Sequence, residues 1–317
     1  MIGSLFFHAH NKISLPQFIY AAGSGQYILK IDPVAKKSGV LFKDEKNSTW
    51  NGEGLVYLPN NKLILSGHYD DGYYGAMLLD INLKSNIKKM YINNPLFFPK
   101  HNTFIFLKSS GVYLSSDIYN LTNARRLAGI YDKGLPYFIK MTEDKFAFWG
   151  LGENNEKKFF VYHFPTNEIK NMPYLDKQIV DIVYRSKTNE FFISECDETD
   201  CKLFMTDGNG SKKSGPKCIS LLSKFNELLY YDKKLDQVYF NSTYVRFHPQ
   251  NGAYEDKDLY VYDFETDQCV KIYESLYVTN VITSSEIEAI DKTKQSIQNS
   301  NEHSSSNRSK SYNRIID

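Results

Sequence analysis

One pattern of apolar and polar positions recurs six times along the chain, with starts roughly 40 to 51 residues apart. Each unit contains an apolar strand, a polar turn, a longer apolar strand, a polar loop and a strand of alternating polarity. The alternating strands read YILKID, AMLLDI, VYLSSD, FFVYHF, LFMTDG and LYVYDF, and they place Asp32, Asp80, Asp117, His163, Asp207 and Asp263 at or near their ends. The pattern predicts an all-β chain built from six similar sheets.

Short polar clusters mark the predicted turns. Pro59-Asn60-Asn61, Thr142-Glu143-Asp144 and Lys187-Thr188-Asn189 separate the first strand from the second in three units. The aspartates that end the alternating strands precede further turns, where a carboxylate accepts hydrogen bonds from backbone N–H groups. We therefore expect these aspartates to shape turns and not to take part in catalysis.

The repeat resembles that of six-bladed β-propellers as a broad class. The resemblance implies an all-β fold, a six-bladed β-propeller of four-stranded antiparallel blades, over residues 1–283. The segment that begins at Ser4 fits the repeat more loosely than the others. Residues 276–283 (LYVTNVIT) form a further predicted strand, which we expect to close the ring against the first blade and remove an open sheet edge.

The outermost strand of each blade should carry charge, because an exposed strand edge pairs readily with other chains. Basic residues fall in or beside all six predicted outer strands, at Lys36, Lys37, Lys88, Lys89, Arg125, Arg126, Lys170, Lys212, Lys213 and Lys271. They are spread around the circumference, so they indicate edge protection and not a nucleic-acid surface.

Composition changes after the repeat ends. Residues 284–317 hold seven hydrophobic residues in 34 and are rich in Ser, Asn and Lys, a composition that cannot bury a core. We expect a mostly disordered polar tail at 284–317, in which a capping box at Ser285-x-x-Glu288 would start one short helix.

The charge balance narrows the classes of partner and compartment. The chain has 38 Lys plus Arg against 37 Asp plus Glu, so it lacks the positive field of a nucleic-acid binder. No stretch approaches about 18 uninterrupted apolar residues, and we expect no membrane span. The opening residues predict no signal peptide, so cytoplasmic is the default expectation, although a chain trimmed of its leader would look the same.

Cysteine usage gives a related expectation. Four cysteines in 317 residues is far below the density of a disulfide scaffold, and we expect free thiols. Cys196 and Cys201 bracket a short acidic loop and could face each other across a hairpin.

A second resemblance rests on one motif. Residues 52–58 (GEGLVYL), followed by residues 62–67 (KLILSG), are similar to the opening blade phrase of two groups of propeller enzymes. These are the gluconolactonase-like metal hydrolases and the glutamine cyclotransferases. In the first group the phrase carries a metal-ligating glutamate, so the resemblance implies this role for Glu53. The Asn-bearing and Asp-Gly-bearing segments that complete the lactonase metal site are not found in this chain.

Loops at one face of a propeller surround the central channel, where ligands usually bind. The segments predicted at this face include residues 68–74, 153–156, 197–200 and 248–258, which together hold ten carboxylates and one lysine. Such an acidic face would attract a cation or a basic partner, although acidic loops are also common simply because they are soluble.

The richest single stretch is residues 50–74. We predict a ligand-binding mouth formed by Trp50, Glu53, His68, Tyr69, Asp70 and Tyr73, with Glu153 and Asp258 contributed by other blades. Glu53, His68 and Asp70 would suit zinc or, without the histidine, calcium, so a divalent cation is the cofactor that the residues indicate. Gly72 and Gly75 also fit an ordinary flexible turn.

The chain contains no Gly-x-Ser-x-Gly elbow, His-Glu-x-x-His motif or glycine-rich phosphate loop. We therefore expect a non-catalytic binding module that engages a protein or a small polar ligand through one acidic, aromatic face. The alternative is a metal-dependent propeller hydrolase or lyase, lactonase-like, that uses Glu53 as a metal ligand.

Overall fold

The strands form six four-stranded antiparallel sheets, which make up a six-bladed β-propeller and confirm the predicted fold class. The computed structural model describes residues 13–23, 27–43, 51–68, 74–83, 85–108, 111–129, 138–151, 154, 156–172, 181–196, 201–207, 210–216, 218–219, 226–248, 252–274 and 278–312. Within these residues, no helix combines the length and the apolar character needed to cross a membrane.

Each blade has an innermost strand next to the propeller axis, and its other three strands follow outward in order. Blade I consists of β24 (Val278–Thr283), β1 (Ile19–Gly23), β2 (Tyr27–Asp32) and β3 (Lys37–Lys43). Blade II consists of β4 (Asn51–Leu58), β5 (Lys62–His68), β6 (Tyr74–Asp80) and β7 (Ser85–Met90). Blade III consists of β8 (Asn93–Phe98), β9 (Thr103–Lys108), β10 (Gly111–Ser115) and β11 (Arg125–Gly129).

The other three blades repeat this order. Blade IV consists of β12 (Phe138–Thr142), β13 (Lys145–Leu151), β14 (Lys157–His163) and β15 (Glu168–Asn171). Blade V consists of β16 (Asp181–Arg185), β17 (Glu190–Cys196), β18 (Cys201–Asp207) and β19 (Lys212–Ser214). Blade VI consists of β20 (Asn226–Asp232), β21 (Gln237–His248), β22 (Gly252–Asp263) and β23 (Gln268–Tyr273). Every residue of the outermost strands β15 and β19 is exposed, which matches the charged residues in their sequences.

Ring closure follows the prediction. β24 pairs antiparallel with β1, from Ile19 opposite Thr283 to Gly23 opposite Val278. The innermost strand of blade I therefore comes from residues 278–283 and not from the segment near Ser4, most of which lies outside the described residues. This origin explains why the first unit fits the repeat loosely.

The apolar core lies between neighbouring blades. In blade V, Ile182 packs in one cluster with Phe159 of blade IV, whereas the next residue, Val183, packs in another cluster with Val238 of blade VI. Alternate residues of a strand thus face opposite neighbours, and both faces are apolar. This arrangement explains why strands such as β9 read as continuous apolar runs.

The aspartates at the strand ends shape turns, as predicted. The Oδ1 atom of Asp32 accepts hydrogen bonds from the backbone N–H groups of Val34 at 3.0 Å and Ala35 at 2.8 Å. The Oδ1 atoms of Asp80, Asp117, Asp207 and Asp263 accept backbone N–H bonds in the same way. These contacts hold the turn between the third and fourth strands of five blades.

Residues 284–312 form a helix, α1 (Ser284–Tyr312), and disorder in this segment is not confirmed. The cap lies two residues before the predicted one, because the Oγ1 atom of Thr283 accepts the N–H of Glu286 at 3.4 Å. Ile290 is 4% exposed and packs in the same core cluster as Leu55. Packing on the propeller supplies the stabilisation that an isolated polar helix lacks.

The expectation of free thiols is wrong for two cysteines. Cys218 and Cys269 form a disulfide bond with their Cα atoms 6.0 Å apart, and this bond joins blade VI to the segment that follows β19. Cys196 and Cys201 lie opposite each other across the β17–β18 hairpin, as the sequence suggested. A separation of 51 residues hides the Cys218–Cys269 pair from local sequence analysis.

Candidate binding channel

The six innermost strands surround a central channel. It contains a cavity of about 230 Å³ to which every blade contributes. Lining residues from the six inner strands include Val281, Gly54, Leu96, Ile139, Ile182 and Leu229. We call the end at which the inner strands begin the start end, and the end at which they finish the helix end.

Helix α1 covers the helix end. Its residues Glu286 and Ile290 line the cavity. The Oη atom of Tyr57, on blade II, donates a hydrogen bond to Asp291 at 3.1 Å, and burial together with this carboxylate raises the pKa of Tyr57 to about 12. The helix therefore reaches from blade I to blade II across the finishing ends of the inner strands.

Charges at the helix end are paired. The Nζ atom of Lys140 lies 3.1 Å from Glu143 and 3.2 Å from Glu286. Burial opposes the charged form of Lys140, but the two carboxylates outweigh burial and raise its pKa. The Oγ1 atom of Thr283 donates to Asp232 at 2.6 Å, and both of these side chains are buried.

A second polar group of residues lies at the start end, where blades V, VI and I meet. Asp181 is the first residue of β16, and Glu227 is the second residue of β20. The Nζ atom of Lys257 donates to Glu227 at 2.6 Å, and the Nδ2 atom of Asn241 donates to Glu227 at 3.1 Å. Asn241 also donates to the backbone oxygen of Val278. We call Asp181, Glu227, Asn241 and Lys257 the start-end cluster.

Asp181 has a carboxyl group whose pKa is strongly raised. Burial, followed by the charge of Glu227, raises the pKa of Asp181 to about 7. A hydrogen bond from the backbone N–H of Leu228 and the charge of Lys257 act in the opposite direction without cancelling the shift. Asp181 can therefore gain or lose a proton near neutral pH.

Unsatisfied polar atoms gather at the start end. Within the described part of the chain, five buried side-chain atoms have no hydrogen-bond partner. Four belong to residues near the beginnings of inner strands or on the strand paired with them: Ser66 Oγ, Asn93 Oδ1, Asp181 Oδ2 and Asn241 Oδ1. The fifth, Glu143 Oε2, is at the helix end. Buried polar atoms without partners are costly, and a ligand or ordered water relieves that cost.

The predicted mouth falls mostly outside the described residues. This applies to Trp50, Tyr69, Asp70, Tyr73 and Glu153, so their roles stay predictions. Glu53 and His68 lie in β4 and β5, where only the backbone is described: Glu53 occupies a register shift between Gly52 and Gly54, and His68 pairs with Asn51. Both residues are at the start end of blade II.

Asp258 occupies a different setting from the predicted one. Residues 248 and 252–258, predicted as part of a loop, belong to β21 and β22, because the cross-strand pairs continue for six residues beyond the Ser242–Asp258 pair. Asp258 is 3% exposed and lies 3.0 Å from Lys271 on the outermost strand. The hairpin therefore extends past the start end of β20, which begins opposite Ser242.

Sequence analysis missed the start-end cluster and Lys140. A signal exists: Asn93, Asp181 and Glu227 are polar residues at the beginnings of strands that are otherwise apolar. In a propeller, these positions come together around the channel. Within the described residues, no group of three or more His, Cys, Asp or Glu side chains could hold a metal ion. This finding does not cover the predicted metal ligands Glu53, His68 and Asp70, since their side chains are not described.

Comparisons with known proteins identify the fold only. No protein-family model and no curated protein sequence matches the chain. The structure of TolB from Acinetobacter baumannii is similar with a TM-score of 0.56 and 12% identity, covering 83% of this chain and 65% of that one. A TolB candidate from Agrobacterium tumefaciens gives a TM-score of 0.53 at 9% identity, covering 81% and 91%. An oligogalacturonate lyase from Vibrio parahaemolyticus gives 0.47 at 11% identity, covering 80% and 71%.

Proposed function

We propose that the chain is a non-catalytic binding module that takes a small polar ligand into the central channel from the start end. The observation that carries this proposal is the cavity of about 230 Å³, to which the inner strands of all six blades contribute. Ligand sites are typically concave and mostly apolar, with a few convergent polar groups. The cavity has mostly apolar walls. Polar atoms without partners among the described residues lie near the beginnings of the surrounding inner strands and on the strands paired with them.

Contacts at the helix end favour entry of the ligand from the start end. α1 places Glu286 and Ile290 against the cavity, and Lys140 forms ion pairs there with both Glu143 and Glu286. A ligand arriving from the helix end would have to displace these contacts. At the start end, four buried side-chain atoms lack partners within the described part of the chain, against one at the helix end, and a ligand that reached them would relieve that cost.

A channel-filling variant tests the proposal. Ile139→Trp places a larger side chain against the cavity, whereas Ile169→Trp makes the same change at an exposed position on β15 of the same blade. Small polar compounds that raise the unfolding midpoint of the parent should lose their effect in Ile139→Trp and keep it in Ile169→Trp. Equal responses in the two variants would contradict channel binding.

The enzyme alternative has one observation in its favour. Glu53 occupies a β-bulge at the start end, and bulges are frequent beside active sites. Metal analysis of the purified parent and of Glu53→Gln separates the alternatives: a stoichiometric divalent ion that is lost in the variant would favour the metal-dependent hydrolase or lyase.

We also infer that the chain works in an oxidising compartment, in place of the cytoplasmic default. The Cys218–Cys269 disulfide supports this inference, because such bonds persist mainly in oxidising surroundings. Thiol titration of the denatured protein, with and without reductant, tests it. In protein isolated under thiol-blocking conditions, the thiols of Cys218 and Cys269 should become reactive only after reduction. Reaction of these two thiols with the blocking reagent before any reductant is added would contradict the inference.

A further inference from the structure

The start-end cluster is short of hydrogen-bond donors. The Nδ2 atom of Asn241 donates to Glu227 and to Val278, and the backbone N–H of Leu228 donates to Asp181. Two atoms of the cluster have no partner among the residues that the structure describes, Asp181 Oδ2 and Asn241 Oδ1, and both accept hydrogen bonds. Asn241 is 0% exposed, so bulk water does not satisfy its Oδ1 atom. A ligand that completes this cluster must therefore bring N–H or O–H donors.

The net charge of the start-end cluster indicates which kind of hydrogen-bond donor fits it. The cluster holds two carboxyl groups, Asp181 and Glu227, and one ammonium group, Lys257. With Asp181 ionised, its net charge is −1. The Nζ atom of Lys257 is bound to Glu227 at 2.6 Å, so the excess negative charge is centred on Asp181. A cationic donor satisfies both the unpartnered acceptors and this charge, whereas a neutral hydroxyl satisfies only the acceptors.

We propose that the start-end cluster binds the primary ammonium group of a small ligand, with Asp181 Oδ2 and Asn241 Oδ1 as acceptors and the rest of the ligand in the channel. This inference rests on the proposed channel binding and specifies the chemical class of its ligand. A primary ammonium has three N–H donors, which suits two unpartnered oxygens and a nearby carboxylate. A divalent metal ion fits less well, because it would lie close to the ammonium of Lys257 and because metal ions of the calcium class need six to eight oxygen ligands.

Binding should be coupled to the ionisation of Asp181. The charged groups that face this carboxyl are Glu227 from β20 and Lys257 from β22. An ammonium group beside Asp181 favours its charged form, so binding releases a proton from the fraction of Asp181 that is protonated. The affinity for an alkylammonium ion should rise as pH increases through about 7, while the amine, with a pKa of about 10, stays charged.

The experiment is an NMR titration of the full chain with n-butylammonium chloride, with n-butanol and calcium chloride as comparison probes. The parent should bind n-butylammonium saturably and n-butanol at least about tenfold more weakly. Asp181→Asn should weaken n-butylammonium binding at least about tenfold and abolish its pH dependence. Asn at this position keeps an acceptor for the N–H of Leu228, so the variant should fold.

Asp144→Asn is the matched control. Asp144 lies in the turn after β12 at the helix end, where it binds Lys100, and its removal should leave n-butylammonium binding unchanged. No saturable binding to the parent, equal binding to Asp181→Asn, or binding of calcium with exclusion of n-butylammonium would each overturn the ammonium site. Loss of binding in Ile139→Trp alone, with Asp181→Asn binding as tightly as the parent, would overturn this inference and leave the proposed channel function standing.

Discussion

The two ends of the channel satisfy their buried polar groups in different ways. At the helix end, Lys140 lies between two carboxylates, Thr283 donates to Asp232, and α1 covers the strand ends. Among the described residues, four buried side-chain atoms at the start end lack partners, against one, Glu143 Oε2, at the helix end, and the pKa of the Asp181 carboxyl is raised to about 7. Removing a buried polar group should therefore lower the free energy of unfolding at the helix end and leave it unchanged or raise it at the start end.

Stability and binding make different demands on one channel. Polar groups that hold the fold are expected to be fully paired, because each unpaired buried group costs free energy. Unpaired groups persist where function uses them, and such sites are often less stable than they could be. The contrast between the ends fits a stabilising role for the helix end and supports the binding role that we propose for the start end.

The largest effect should come from shortening the chain through β24. A chain that ends at residue 275 loses Val278, Val281 and Ile282, all buried, and each contributes about 1.5 to 3 kcal/mol. Their sum is comparable to the whole stability of a typical domain, so we expect no cooperative thermal transition. A chain that ends at residue 300 keeps β24 and the packed turns of α1, and its midpoint should stay near that of the parent. A normal transition in the shorter chain would show that ring closure is dispensable.

A pair of hydroxyl deletions compares the two ends directly. Thr283→Val removes the donor to buried Asp232 and should lower the free energy of unfolding by about 1 to 3 kcal/mol. Ser66→Ala removes a buried hydroxyl that has no partner among the described residues, so it should be neutral or stabilising. Urea denaturation measures both. Similar losses in the two variants would remove the contrast between the ends.

The repeat made the propeller predictable because each blade is a local unit. Turn aspartates such as Asp32 and Asp80 act within a few residues, so the sequence carries their signal. The start-end cluster joins residues of different blades, and no local pattern brings Asp181 next to Glu227. α1 was underestimated for a similar reason, because the burial of Ile290 depends on a surface that exists only in the closed ring.

The pH dependence of stability provides the next test. Asp181 has a folded pKa of about 7 against about 4 for an unfolded Asp, so the folded state binds more protons between these values. The contribution of Asp181 therefore lowers stability as pH rises from about 4 to 7. Asp181→Asn should remove this decline and be more stable than the parent at pH 8 by about 1 kcal/mol or more.

Asp144→Asn should shift stability in the opposite direction, because hydrogen bonds from Lys100 and His101 lower the pKa of Asp144. An Asp181→Asn variant less stable than the parent at pH 8 would make Asp181 a structural residue.

The smallest effect on stability should come from replacing Glu288, which lies two residues after Glu286 on α1. Glu288 lies 3.0 Å from Lys234, but both side chains are about half exposed, and exposed pairs contribute little because water and salt screen them. Glu288→Gln should leave the unfolding midpoint unchanged at low and high salt. Glu286→Gln should lower it, because Lys140 would then keep only Glu143 as a charged partner in a largely buried site. Equal decreases of the unfolding midpoint in Glu288→Gln and Glu286→Gln would mean that exposed ion pairs hold α1 on the propeller. The helix end would then be stabilised by contacts outside the channel.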